Sequence, residues 1–187
     1  GYIPETILCS EIESMESIEL QPVANGVLFG KRFALDPQFG GEEKGETGPT
    51  GVRASDLNLR VARYLADYLR VGGANVVLTR DSDLTVTPLR RVELAEQFAA
   101  DYFLSIGHGD FLRQTVTGEK YADEEQAVFQ SRVMHYPTST AGSSLAAALA
   151  ASLQTLIIAE NVPVQPATDF VLTHTSSPAV MISLPGP

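Results

Sequence analysis

Most of the candidate chemistry in this chain turns on His108. Ser105 lies shortly before it and Asp110 shortly after. A serine nucleophile, an imidazole base and an orienting carboxylate would make Ser105, His108 and Asp110 an acyl-transfer set, with Ser183 as a second nucleophile. Neither serine sits in the Gly-x-Ser-x-Gly turn that strains a nucleophile into the open. The same imidazole could instead join the carboxylates of Asp36, Glu42, Glu43 or Asp110 in an irregular metal site. The plainer reading is a solvated loop histidine between Gly107 and Gly109. His135 and His174 fall inside strand-like patterns and read as edge or surface residues.

The elements that must position these residues alternate in kind. Residues 33–36 form a short apolar run stopped by Pro37, as expected of a buried strand, and 37–54 are loop-rich in Gly, Glu and Thr. Ser55 is the predicted N-cap of a helix burying Leu57, Val61, Ala62, Leu65, Tyr68 and Leu69, which Gly72-Gly73 stops. Residues 75–79 are β-branched and read as a strand. Thr87-Pro88 pairs a cap with a proline at the first helical position, opening a helix through Val92, Leu94, Ala95 and Phe98. Residues 102–106 read as a buried strand, 107–126 as a polar loop and 127–136 as an irregular strand. Residues 143–159 form an Ala/Leu-rich helix, and 170–175 and 179–183 are the last predicted strands. This alternation predicts an α/β three-layer sandwich, a mostly parallel twisted sheet flanked by helices.

Size and charge bound the rest. The 187 residues suit one domain with a sizeable core. A net charge of −10 argues against nucleic acid, which needs clustered Lys and Arg, and no apolar run reaches membrane-span length. Cys9 is the only cysteine, so no intrachain disulfide forms. The start, Gly1-Tyr-Ile-Pro-Glu5, has neither the basic nor the apolar region of a signal peptide. The expectation is a domain cut from a longer chain, with residues 1–31 an extension, linker or added strands and 32–187 the domain proper.

Four blocks narrow the reading: residues 34–41 (Ala-Leu-Asp-Pro-Gln-Phe-Gly-Gly), 48–59 (Gly-Pro-Thr-Gly-Val-Arg-Ala-Ser-Asp-Leu-Asn-Leu), 104–108 (Leu-Ser-Ile-Gly-His) and 178–183 (Pro-Ala-Val-Met-Ile-Ser). In order and spacing they resemble the zinc-dependent N-acetylmuramoyl-L-alanine amidases of the Amidase_3 type. In that family the first block reads Asp-Pro-Gly-His-Gly-Gly, and its His is a zinc ligand; this chain has Phe39 there, after Gln38. The ligand Glu of the second block is replaced by Ala54, the ligand His of the third by Gly107, and the catalytic Glu of the fourth by Ser183. Residues 75–81 and 91–95 also look like family segments.

The resemblance implies an enzyme that cuts the amide between N-acetylmuramic acid and L-alanine, with zinc activating water and a carboxylate moving protons. The residues present imply that this chemistry has been removed, with no cofactor expected. His108, one position past the lost ligand, points to the opposite strand face unless its flanking glycines twist it back. Phe39 either fills the vacated metal volume or stacks on a glycan ring at the cleft formed with Gln38 and His108. Asp36 is expected to hold the loop through backbone N–H groups, and Arg80 and Arg91 to be scaffold ion-pair partners. The expected function is a non-catalytic domain of an exported, extracytoplasmic protein that binds peptidoglycan, a muropeptide or a protein partner. The alternatives are an active amidase with a zinc site rebuilt around His108 and a purely structural module.

Overall fold

The computed structural model describes residues 26–109, 131–156 and 161–187. A six-stranded sheet forms its middle layer. The strands are β1 (Arg32–Pro37), β2 (Asn75–Leu78), β3 (Tyr102–His108), β4 (Arg132–His135), β5 (Val164–Pro166) and β6 (Ala179–Leu184). Their spatial order is β2-β1-β3-β6-β4-β5, parallel throughout except for the antiparallel β4–β6 pair. The helices are α1 (Ala54–Val71), α2 (Pro88–Gln97), α3 (Thr140–Leu156) and the short α4 (Phe170–His174). The three-layer α/β class is therefore the one the alternation predicts.

Strand alternation sorts the side chains onto two faces. Phe33, Leu35, Leu104, Val180 and Ile182 join Ala66 and Leu69 of α1 and Ala146 and Ala150 of α3. On the other face Ala34, Phe103 and Met181 pack with Val92 and Ala95 of α2 and Val171 and Leu172 of α4. Asp36, Ser105, Gly107 and Ser183 continue the second set toward the strand ends, since parallel register sets Asp36 beside Ser105 and Gly107 beside Ser183.

Helix α1 buries a stripe of Ala54, Asn58, Ala62, Ala66 and Leu69. That corrects two sequence expectations. Tyr68 is 76% exposed, because the buried stripe runs one position away from it. Ser55 is not the cap: the cap position is Arg53, which makes no side-chain cap bond, while Ser55 is buried in the first turn. Thr87 does cap α2, its hydroxyl accepting from the Arg90 N–H, with Pro88 at the first helical position.

The largest misreading is residues 170–175, a helix and not a strand. Asp169 accepts the Val171 N–H at 3.0 Å, and the Thr173 hydroxyl donates back to the Asp169 carbonyl, so local capping overrides the β-branched composition. The strand β5 had no sequence counterpart. Expectations for residues 1–25, 110–130 and 157–160, Asp110 among them, lie outside the described residues.

Candidate functional site

The site grows from the last residues of β1. Asp36, 1% exposed, accepts from Thr79 Oγ1 at 2.6 Å, Ser105 Oγ at 2.7 Å and Arg91 Nη1 at 2.5 Å. Its partners are thus side chains, not the backbone N–H groups expected from sequence. Arg91 is an ion-pair partner, and it also donates to the carbonyls of Pro37, Phe39 and Val86. Arg80 serves the scaffold differently, spreading its donors over the carbonyls of Pro37, Gln38, Ser55 and Ser82. Burial, then the neighbouring Arg91 charge, pulls its guanidinium down to about 10, still cationic at neutral pH.

After Pro37 the chain turns sharply. Phe39 takes a left-handed backbone with φ 63°, and Gly40 and Gly41 follow at φ 124° and 63°. A Cβ on Gly40 would lie 2.5 Å from the Leu84 carbonyl oxygen, so only glycine fits there. The Phe39 ring, half-buried, packs over Gly45 beside Ala54: a Cβ on Gly45 would meet the ring at 2.7 Å and the Ala54 Cβ at 2.9 Å.

Gln38 is 6% exposed, and its side chain lies across Gly107. A Cβ built on Gly107 would overlap Gln38 Oε1 and sit 2.8 Å from its Cδ. The Gln38 Nε2 donates to Ser105 Oγ at 3.1 Å, and the Ser105 hydroxyl donates in turn to Asp36. That relay fixes the amide orientation and leaves Gln38 Oε1 buried with no donor among the described residues. Ser183, beside Gly107 in register, donates to the Gly109 carbonyl.

His108 ends β3 with its ring on the opposite face, Nδ1 2.7 Å from Asn58 Oδ1 of α1. Asn58 is oriented by donating its own amide to the Gln38 carbonyl at 3.0 Å. Nδ1 therefore carries the proton in the neutral ring, and burial depresses the imidazole pKa. His108 is half-buried and partnered, not a solvated loop residue. Glu42 and Glu43 are exposed on the loop between β1 and α1, His135 bonds the Tyr136 carbonyl, and His174 stacks on Phe170.

The structure thus brings Gln38, Phe39, Ala54, Gly107 and Ser183 to one end of the sheet, beside Asp36 and Ser105. It does not bring His108 to that face. No group of three or more His, Cys, Asp or Glu among the described residues could hold a metal ion. A cavity of about 170 Å³ lies beside the cluster, lined by Asp36, Gln38, Phe39, Glu43, Val86, Pro88, Arg91, Ser105, Asp169, Val171 and Met181.

Two residues, Asp169 of the cavity wall and Asn58 beneath the turn, were missed from sequence. Asp169, whose carboxyl pKa burial pushes up, was signalled by its place just ahead of a short apolar run, as an N-cap. Asn58 was signalled by falling on the Ala54–Ala62 stripe, where a polar residue must find partners inside.

A cleft outside the carboxyl ends of parallel strands is where α/β sheets place their ligand sites. The chain belongs to the N-acetylmuramoyl-L-alanine amidase family, Amidase_3, whose model matches residues 34–185. It is 29% identical to YqiI of Bacillus subtilis (strain 168) over 170 residues, covering 90% of this chain and 77% of that protein. To the N-acetylmuramoyl-L-alanine amidase AmiA of Escherichia coli (strain K12) it is 34% identical over 90 residues, 48% of this chain but only 31% of that protein. Among solved structures it is similar to the amidase AmiC2 of Nostoc punctiforme, with TM-score 0.68 and 28% identity over 81% of this chain and 77% of that one. The amidase from Clostridium difficile 630 shares the fold, with TM-score 0.69 at 24% identity over 82% of this chain and 78% of that one.

Proposed function

We propose that this domain binds peptidoglycan fragments outside the cytoplasm without cleaving them. The family works through zinc, and zinc needs three protein donors with a fourth position left for water. Phe39, Ala54 and Gly107, the positions the resemblance equates with the ligands, carry no donor, and Ser183 stands where the proton-moving Glu is expected. A zinc ion does not fit this donor set, so no hydrolytic step runs through one here.

The observation that carries the reading is the exchange between Gln38 and Gly107. The family has Gly and His at these two positions; this chain has a side chain at the first and none at the second. The Gln38 amide lies over Gly107 in the space a side chain there would enter. The site has been repacked around its loss, which favours a retained fold with another use. The reading with a metal site rebuilt around His108 is disfavoured by the placement of that ring against Asn58, away from Asp36. No helix among the described residues is long and apolar enough to cross a membrane.

Incubation with purified muropeptides tests the proposal. Calorimetry should detect binding, chromatography should detect no released stem peptide, and EDTA should change neither binding nor melting temperature. Zinc-dependent peptide release would restore the enzyme reading; absence of any binding would leave a protein partner or a structural role.

A further inference from the structure

The cavity beside Gln38 has a one-sided hydrogen-bonding inventory. Most of its donors are engaged: Arg91 with Asp36 and three carbonyls, Ser105 with Asp36, and one N–H of Gln38 Nε2 with Ser105. Its acceptors are not. Asp169 uses only Oδ1, on the Val171 N–H, and the exposed Glu43 carboxylate has no partner among the described residues. Asp36, Glu43 and Asp169 against Arg91 leave the lining with an excess of negative charge.

The remaining wall is apolar, made by Val86, Pro88, Val171 and Met181, with the Phe39 ring at the turn. About 170 Å³ is far below the several hundred Å³ of a pocket for a whole drug-sized ligand, so it suits one side chain or one ring. A carboxylate guest would meet acceptors and like charge. A cation with an apolar stem would meet acceptors, two free carboxylates and an aromatic ring.

We propose that this cavity is a subsite for a protonated primary amine carried by the peptidoglycan fragment, an assignment that rests on the function proposed above. Two parts of such a fragment supply that chemistry: the side-chain amine of a diamino acid in the stem peptide, and the amine of a de-N-acetylated glucosamine. Glu43 and the free oxygen of Asp169 receive the ammonium, and the apolar wall takes the carbons behind it.

Calorimetric titration with two pairs of ligands tests the subsite. One pair is a muropeptide with a lysine in its stem and the same molecule N-acetylated on that lysine. The other is a peptide-free disaccharide with a free glucosamine amine and its N-acetylated twin. In one pair the free amine should bind roughly tenfold more tightly or better, and that pair names the source. The preference should vanish in Glu43→Gln/Asp169→Asn, in which Asn still caps α4, with thermal melting as the check on folding. Equal affinity within both pairs, or a preference that survives the double variant, overturns the amine subsite and leaves peptidoglycan binding standing. Failure of all four ligands to bind removes the underlying function, and the subsite with it.

Discussion

The two faces of the sheet use the same strands for opposite purposes. Toward α1 and α3, β1, β3 and β6 present Phe33, Leu35, Leu104, Val180 and Ile182, an ordinary apolar core. Toward α2 and α4 the same strands begin with Ala34, Phe103 and Met181 and end in Asp36, Ser105, Gly107 and Ser183. One face is held by area removed from water alone, while the other adds a buried ion pair and a relay of hydrogen bonds to its apolar cluster. The difference shows which part of the domain can change residues with least effect on the apolar core. Phe39, Gly107 and Ser183 lie at the polar end, with Ala54 beside the Phe39 ring at the start of α1.

Breaking the ion pair should produce the largest effect. Arg91→Ala leaves Asp36 charged and 1% exposed, and should destabilise the domain by about 3–5 kcal/mol in denaturant unfolding. Leu35→Ala, on the apolar face, should fall at about 2–5 kcal/mol. If Arg91→Ala costs under about 1 kcal/mol, the polar face is not held as described.

Phe39→Ala comes next. The ring is half-buried, so its loss should cost about 2 kcal/mol, below the usual 3–5 kcal/mol for a buried aromatic. The left-handed backbone at φ 63° limits it further, since alanine inherits that strain. An effect near zero would show a ring that packs on nothing.

The smallest effects are pH dependences of opposite sign on the two faces. Burial lowers the His108 pKa from 6.5, so the unfolded chain binds more protons between the two values. Stability then rises with pH across that window and is lost as pH falls from about 6.5 toward the folded value. Burial raises the Asp169 pKa from 3.8, so the folded chain holds the extra proton and stability falls as pH rises from about 3.8 through the folded value. Unfolding measured across pH on His108→Gln and Asp169→Asn should remove one limb each. A variant that keeps its limb assigns that titration to another group.

Much of this architecture was legible because its signals are local. Apolar runs at 33–36 and 102–106 and the Thr87-Pro88 cap each fix an element without outside help. Residues 170–175 misled because Val and Thr favour strands, while Asp169 and the threonine hydroxyls close a helical turn. The site divided the same way. The residue types at 39, 54, 107 and 183 could be read directly. The place of Gln38 over Gly107 could not, because it depends on strands 67 positions apart that meet only in the fold.

Zinc titration of restored variants tests the central claim, that the site is closed to metal by what fills it. The parent, Phe39→His/Ala54→Glu/Gly107→His, and that triple combined with Gln38→Gly should be compared by calorimetry, with folding verified by melting. The parent should bind no stoichiometric zinc, the triple should bind weakly at best because the Gln38 amide still covers position 107, and the quadruple should bind one zinc much more tightly. One tightly held zinc in the parent, or equal affinity in the triple and the quadruple, would contradict the account.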